Sequence, residues 1–181
     1  MANKWIRYWE RTCPPTMQET DIGRLPERFN KIKDFDPYET GMGLTIHGRT
    51  GTAKTRSVWM LLKILCEKGK GDHFFVTSTS FANKISWCYG RNEFNKEYNS
   101  YIRTCKLAKT LVFDDIGKER LTERVTTELF DLIDHRTNYK LPIIYTTNYV
   151  GDELLAKFPS KESGQPILRR MREFTESVNY K

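Results

Sequence analysis

The sequence predicts an α/β domain in which a parallel sheet lies between two layers of helices. From about residue 43, short apolar or β-branched segments alternate with longer segments whose apolar residues recur at helical spacing. Alternation of this kind is typical of parallel strands joined by crossover helices, which cover both faces of the sheet. The length of 181 residues falls within the usual size of one domain and is enough to bury a substantial core.

The individual elements are predicted from this alternation together with the positions of glycine and proline. A short N-terminal helix and an extended lead-in are expected before the sheet begins, because each proline there disfavours a helical conformation at the preceding residue. The predicted strands are 44–47, 74–79, 110–113, 142–146 and 175–179. The predicted helices are 54–68, 81–89, 93–107, 122–139, 152–158 and 166–173.

Composition limits the classes of protein to which the chain can belong. Apolar residues make up 38% and charged residues 29%, and no apolar run approaches the roughly 20 residues that span a membrane. The first ten residues are charged and lack the apolar segment of a secretory signal, so a cytoplasmic location is expected. The net charge of +7 permits a nucleic-acid partner without requiring one. Four cysteines, at positions 13, 66, 88 and 105, form no Cys-x-x-Cys pair and are expected to be ordinary reduced thiols.

A glycine- and threonine-rich segment stands between the first predicted strand and the helix after it. A polyphosphate needs several converging backbone N–H donors, which requires tight turns and small side chains, and a helix N-terminus adds partial positive charge. Lys54 can reach the β- and γ-phosphates of a nucleotide, and the Thr55 hydroxyl can ligate Mg²⁺. The segment therefore predicts a P-loop for ATP, formed by Gly48, Arg49, Thr50, Gly51, Thr52, Ala53, Lys54 and Thr55.

One position of this loop departs from the usual pattern. Ala53 precedes the lysine, where glycine is usual. A methyl group is a small intrusion, and helical φ and ψ angles would suit alanine at this position. Nucleotide binding is therefore expected to survive the change.

A second strand tip supplies acidic groups. The apolar run Leu111-Val112-Phe113 ends in Asp114 and Asp115. Burial of the strand would place both carboxylates at its C-terminal edge, where α/β sheets bind ligands. Asp114 is predicted to bind the metal, directly or through water, and Asp115 to orient and deprotonate the attacking water.

A third strand tip repeats this arrangement with an amide. The run 143–147 is apolar in its body and ends in threonines, and Asn148 follows it. An amide at this edge of the sheet could hydrogen-bond the γ-phosphate or the lytic water, although Asn is also common as a simple turn residue. Because Asn148 would lie at the same edge of the sheet as the P-loop and the acidic pair, we expect it to sense the phosphate.

Taken together, these segments resemble the DnaC-type helicase loaders and IstB-type transposition helpers, a branch of the AAA+ ATPases. The resemblance covers roughly residues 21–175 and is carried by the runs 48–55, 111–119, 132–136, 142–148 and 167–172. It implies an α/β P-loop NTPase fold of AAA+ type, a three-layer sandwich with a parallel central sheet and no C-terminal lid domain. It also implies ATP hydrolysis with Mg²⁺ by a homo-oligomer, with 25–181 as the ATPase domain and 1–24 as a lead-in.

The resemblance further implies roles for particular residues. Asn148 would be sensor 1, and an arginine of the run 167–172 would act as a finger on ATP bound by a neighbouring subunit. Arg170, just before Met171, matches best. The side chains of adjacent helical residues point about 100° apart, so Arg169 and Arg170 cannot both occupy the finger position. A surface arginine pair without such a role is the alternative. The predicted catalytic residues are thus Lys54, Asp115, Asn148 and Arg170, and the predicted metal ligands are Thr55 and Asp114.

Two further segments suggest partners. In relatives the region between the second and third strands lines a channel for DNA, and here basic and aromatic residues alternate in it. Backbone neutralisation with base stacking would suit single-stranded DNA, whereas packing of these aromatics in the core is the equal alternative. The residues concerned are Lys84, Arg91, Lys96, Arg103 and Lys106 with Phe81, Trp87, Tyr89, Phe94, Tyr98 and Tyr101.

The N-terminal helix carries an apolar stripe of Trp5, Ile6 and Trp9. This stripe is expected to dock a partner such as a replicative helicase, with packing on the protein's own core as the alternative.

Several functions remain open at this level. The first is an ATPase that loads or remodels a replicative helicase on single-stranded DNA, in a phage or mobile element given the compact chain. The second is an IstB-like helper for a transposase. A small-molecule P-loop kinase and a weakly hydrolysing, nucleotide-gated scaffold are the alternatives from other classes. The Asp-Asp-Ile-Gly and Thr-Thr-Asn tips favour water over a metabolite as the phosphate acceptor.

Overall fold

The computed structural model describes residues 3–88, 95–118 and 121–180 of the chain. In this described part, one parallel sheet lies between two layers of helices, with the strand order β2-β3-β4-β1-β5. The strands are β1 (Gly43–His47), β2 (His73–Thr77), β3 (Thr110–Ile116), β4 (Ile143–Thr147) and β5 (Thr175–Asn179). The helices are α1 (Lys4–Thr12), α2 (Pro15–Gln18), α3 (Pro37–Thr40), α4 (Lys54–Glu67), α5 (Ser78–Cys88), α6 (Asn95–Leu107), α7 (Glu123–Asn138), α8 (Asp152–Leu155) and α9 (Lys161–Glu173), with 3₁₀ turns at Ile22–Arg24 and Glu27–Lys31.

The central strands are buried on both faces because alternate residues enter opposite cores. Phe113 of β3 and Tyr145 of β4 pack with α5, α7 and α9 on one side. Val112 and Ile144, one residue away on the same strands, pack with α1 and α4 on the other side. The near-continuous apolar runs of β3 and β4 follow from this double burial. The predicted three-layer arrangement is confirmed.

Several element boundaries differ from the prediction, each for a local reason. The strand predicted at 74–79 ends at Thr77, because α5 begins at the next residue. The Thr77 hydroxyl accepts the backbone N–H of Ser80 at 3.0 Å, and the Ser80 hydroxyl accepts that of Thr77 at 3.1 Å. This reciprocal capping stabilises the start of the helix. The helix predicted at 166–173 begins at Lys161, where Ser160 and Ser163 form a capping box. Pro166 therefore lies inside α9, near its first turn.

The N-terminal helix packs on the protein's own core. Trp9 is 3% exposed, and its indole N–H donates to the backbone oxygen of Trp59 in α4 at 3.0 Å. Trp5 and Ile6 are partly buried against the same core, and the Trp5 side chain covers Gly71 so closely that an added Cβ there would lie 2.4 Å away. The stripe expected to dock a partner therefore packs on the chain's own core, with Trp9 buried and with Trp5 and Ile6 partly buried. The predicted division between 1–24 and 25–181 separates residues that share one core.

A buried arginine ties the helical layer to the ends of the strands. Arg136 of α7 is 0% exposed and donates to the backbone oxygens of Cys105, Ala108 and Pro142 at 2.8, 2.9 and 2.8 Å. Burial lowers the pKa of this guanidinium to about 10. The arginine of the run 132–136 is therefore an anchor that satisfies carbonyls at the end of the sheet away from the P-loop.

Candidate nucleotide-binding site

The loop between β1 and α4 has the irregular backbone of a phosphate-binding loop. Gly51 has a φ of 82° and Ala53 a φ of 62°, both in the left-handed region. Ala53 is the N-cap of α4, and Lys54 is its first residue. The expectation that alanine would be helical here is wrong, because Ala53 lies before the first residue of α4, where the backbone has not yet entered the helix. A side chain pays roughly 1 kcal/mol of strain in this conformation, which glycine would avoid.

The start of the loop has no room for a side chain. A Cβ on Gly48 would lie 2.8 Å from the backbone oxygen of Tyr180. The N–H of Tyr180 donates to the backbone oxygen of His47 at 2.7 Å, and its ring is buried beside α4. Tyr180 is therefore a support beneath the loop that sequence reasoning missed, because nothing in the local pattern links it to a residue 132 positions earlier.

Lys54 is held at the centre of the loop. Its ammonium donates to the backbone oxygens of Gly48 and Arg49 at 2.8 and 2.9 Å and to Oδ1 of Asn148 at 2.7 Å. Burial lowers the pKa of Lys54, while the charges of Asp115 and Asp114 oppose this shift. Its three partners are all neutral oxygens, which a phosphate could replace with a stronger charge-assisted bond.

Thr55 and Asp114 meet across the sheet. The Thr55 hydroxyl donates to Oδ1 of Asp114 at 3.0 Å, and the Thr146 hydroxyl donates to the same oxygen at 2.6 Å. Asp114 is only 4% exposed. Burial raises the pKa of Asp114, and the hydrogen bond from Thr146 acts in the opposite direction.

These two residues fit a magnesium ion. A hydroxyl and a carboxylate are hard oxygen donors, and Mg²⁺ takes only one or two such protein ligands beside water and substrate phosphates. Within the residues that the structure describes, no group of three or more His, Cys, Asp or Glu side chains could hold a metal by itself.

Asp115 follows Asp114 but has a different backbone conformation. Its φ of 58° is left-handed, and its N–H donates to the Thr146 hydroxyl at 2.8 Å. Its side chain is 28% exposed, and its Oδ2 lies 3.4 Å from the ammonium of Lys118. The structure places β3 through Ile116, so both acids belong to the strand rather than following it. The turned backbone directs the two neighbouring carboxylates differently.

The predicted arginine finger is held within the chain. Arg170 of α9 forms an ion pair with Asp134 of α7, and its guanidinium lies 4.7 Å from the ring centroid of Phe130. Its side chain is 17% exposed. Arg169 is 66% exposed and lies 3.8 Å from Glu173. The finger role of Arg170 stays a prediction.

The basic and aromatic segment divides between core and surface. Phe81 is fully buried, and the ring of Tyr101 packs against it and against Phe74. Trp87 is 43% exposed, with the Lys84 ammonium 5.3 Å from its ring centroid. Core packing therefore accounts for part of the expected stacking surface. Tyr89, Arg91 and Phe94 lie outside the described residues.

A separate cavity of about 540 Å³ opens between β5, α8 and α9. Threonine and serine side chains of β1 and β5 form its floor, and Leu168 and Met171 form part of its wall. It lacks the lysine, the acidic pair and the loop N–H groups. The chemistry of the P-loop and the strand tips therefore locates the candidate site, rather than cavity size.

In the described chain, no helix combines the length and apolar character that a membrane crossing requires.

Two curated proteins are similar to this chain in sequence. The chain is 27% identical over 173 residues to the replicative helicase loader DnaI of Bacillus subtilis, across 91% of this chain and 54% of the relative. It is 21% identical over 133 residues to a protein of a Mycobacterium tuberculosis insertion sequence named as ATP-binding, across 74% and 51%. The chain thus spans about half the length of these curated relatives. No protein-family model matches it.

Solved structures give the fold. The DnaC helicase loader superimposes with a TM-score of 0.66 at 23% identity, covering 84% of this chain and 86% of that one. AMPPCP-bound DnaA from Aquifex aeolicus superimposes with a TM-score of 0.69 at 16% identity, covering 93% and 51%. The chain has the AAA+ P-loop fold. The resemblance to helicase loaders and insertion-sequence ATP-binding proteins, indicated by the motifs, is confirmed.

Proposed function

We propose that this protein is a Mg²⁺-dependent ATPase that assembles as an oligomer and loads or remodels a replicative helicase on single-stranded DNA. The observation that carries the proposal is the meeting of four side chains at one edge of the sheet. They lie in or after three different strands, and they bond in two pairs: Lys54 donates to Asn148 at 2.7 Å, and Thr55 donates to Asp114 at 3.0 Å. Similarity to a helicase loader supports the choice of partner.

In this proposal, the loop N–H groups and Lys54 bind the phosphates, and Thr55 and Asp114 hold Mg²⁺. The ion would neutralise charge on the β- and γ-phosphates and so favour attack at the γ-phosphorus. Asp115 accepts a proton from the attacking water, since its side chain is partly exposed beside Asp114. Asn148 senses the γ-phosphate. Its amide oxygen accepts a hydrogen bond from Lys54, and a bound γ-phosphate would displace that oxygen.

Nucleotide binding is the first test. Lys54→Ala is expected to weaken ATP binding at least about 10-fold, because a charge-assisted hydrogen bond is worth roughly 1.5–3 kcal/mol. Titration with a fluorescent ATP analogue measures this. Lys68→Ala is the matched control, since Lys68 is an exposed lysine at the other end of α4. Equal affinity of the two variants would contradict the proposal.

Partner and substrate need a second test. Release of inorganic phosphate is measured with and without single-stranded DNA, and a replicative helicase is tested by pull-down. DNA-stimulated release together with helicase capture is the expected result. An insertion-sequence relative supports the second candidate, a helper for a transposase. In that case DNA would stimulate release and a transposase would be retained instead. Phosphate transfer only to a small molecule would indicate a kinase.

The oligomer is tested through the proposed arginine finger. Arg170 would exchange Asp134 of its own chain for the phosphate of a neighbouring subunit. Turnover per subunit should rise with protein concentration, and Arg170→Ala should remove that rise. Arg169→Ala is the control, because Arg169 stands next to it on the exposed side of α9. A flat specific activity of the unmodified protein would argue against catalysis between subunits.

A further inference from the structure

A single buried hydroxyl contacts both acidic residues of the site. Thr146, in β4, is 0% exposed. Its Oγ1 donates to Oδ1 of Asp114 at 2.6 Å and accepts the backbone N–H of Asp115 at 2.8 Å. A hydroxyl has one proton to donate and can accept at its lone pairs, so these two bonds define its orientation.

This hydroxyl sits where the ladder between β3 and β4 is interrupted. Phe113 pairs with Tyr145, and Ile116 pairs with Thr147, so two residues of β3 stand opposite Thr146 alone. An extra residue on one strand is a β-bulge, which leaves a backbone group without a ladder partner and redirects side chains. Here the N–H of Asp115 leaves the ladder and is satisfied by the Thr146 side chain.

We propose that Thr146 is the positioning residue for the acidic pair, orienting the metal-binding carboxylate and stabilising the bulge that turns the second acid away from it. This inference rests on the proposed ATP–Mg²⁺ site. Thr55 also donates to Asp114, and its oxygen lone pairs remain available to ligate a metal, so its hydroxyl would be shared between the carboxylate and the ion. The bond from Thr146 is the shorter of the two and comes from a fully buried residue of the neighbouring strand, so it orients Asp114 through a group that does not itself bind the ion.

The neighbouring residue supplies a matched control. Thr147 is 1% exposed, lies on the same strand, and also bonds to β3 through its hydroxyl. That hydroxyl donates to the backbone oxygen of Ile116 at 2.8 Å. The two threonines therefore match in burial, residue type and cross-strand bonding. They differ in that only Thr146 bonds to the acidic pair.

The test compares Thr146→Val with Thr147→Val, using metal binding as the readout. Mn²⁺ is titrated into the protein with a non-hydrolysable ATP analogue, and bound ion is measured by electron paramagnetic resonance. Thr146→Val is expected to weaken Mn²⁺ binding about 10-fold or more, as loss of an outer-shell partner of a metal ligand commonly does. Thr147→Val should leave Mn²⁺ affinity unchanged, and Thr146→Ser should restore it.

The outcomes separate this inference from the proposed function. Equal Mn²⁺ affinity of Thr146→Val and the unmodified protein would overturn the role of Thr146, and so would an equal loss in both valine variants. Failure of the unmodified protein to bind Mn²⁺ with the nucleotide would instead overturn the proposed ATP–Mg²⁺ site. If Thr146→Val does not fold, Thr146→Cys carries the test. Its thiol is a similar size and a weaker donor, so wild-type Mn²⁺ affinity in that variant would equally overturn the inference.

Discussion

The loop 48–55 and the strand tips opposite it are both parts of the candidate site, but their shapes are set by different means. In the loop, backbone conformation sets the shape: Gly51 and Ala53 are left-handed, and Gly48 has no space for a Cβ. At the strand tips, side-chain hydroxyls set the shape, through the bonds from Thr55 and Thr146 to Asp114. The loop should therefore respond to changes in backbone freedom and added carbon atoms. The tips should respond to the loss of oxygen atoms.

The largest effect on stability is expected at Gly48. In Gly48→Ala the new Cβ would overlap the backbone of Tyr180, which cannot rotate away as a side chain can. We expect a loss of about 1–3 kcal/mol in the free energy of unfolding and weaker nucleotide binding. Denaturant unfolding and nucleotide titration measure the two effects.

Gly41→Ala is the control for this change. Gly41 has a φ of 65°, and a Cβ there would meet nothing within 4 Å, so only backbone strain is added. Gly41→Ala should lower the free energy of unfolding by about 1 kcal/mol and leave nucleotide affinity unchanged. If Gly41→Ala weakened binding as much as Gly48→Ala, the close packing beneath the loop would not be what matters.

A smaller effect, of opposite sign, is expected at Ala53. Ala53→Gly removes the strain of a left-handed alanine and should raise the free energy of unfolding by about 1 kcal/mol. For a chain of this size the melting temperature should rise by roughly 2–4 °C. Ala82→Gly, within α5, should have the opposite sign, since glycine disfavours a helix interior. Destabilisation by Ala53→Gly would mean that the loop does not hold this conformation in solution.

The smallest effect is expected at Lys118, on the surface beside the strand tips. Its ammonium is 3.4 Å from Oδ2 of Asp115, but the Lys118 side chain is 62% exposed. Exposed pairs of this kind contribute about 0–1 kcal/mol, so Lys118→Ala should change stability by less than about 0.5 kcal/mol. Thermal unfolding together with ATP turnover checks this. A tenfold loss of turnover would show that surface charge, rather than the buried hydroxyl, orients Asp115.

Local sequence predicted most of the site because a P-loop depends on neighbouring residues. Strand, loop and helix follow one another over 44–68, so Lys54 and Thr55 could be placed without knowing the rest of the fold. Asp114 and Asn148 could be placed as well, because parallel strands bring their C-terminal ends to one edge of the sheet. Thr146 was within reach of the same reasoning, as a hydroxyl two residues before Asn148.

The remaining features depend on contacts between distant parts of the chain. From sequence alone, Trp9 could have contacted a partner or packed in the core. It packs in the core, where its indole N–H donates to the backbone oxygen of Trp59, 50 residues away. Arg170 could have faced a neighbouring subunit, and in the single chain Asp134 holds it. Periodicity shows that such a side chain lies on a helix face, but not which surface that face meets.

By itself the sequence determined the order of strands and helices, the P-loop and the chemical identity of the strand tips, because periodicity and short motifs are properties of adjacent residues. Tertiary structure alone decided the left-handed turn at Ala53, the bulge at Asp115 and the support of Gly48 by Tyr180. The bulge and the support of Gly48 are imposed by hydrogen bonding and close packing from other elements, and the turn at Ala53 by the junction between the loop and α4. A residue's local preference cannot reveal a constraint of that kind.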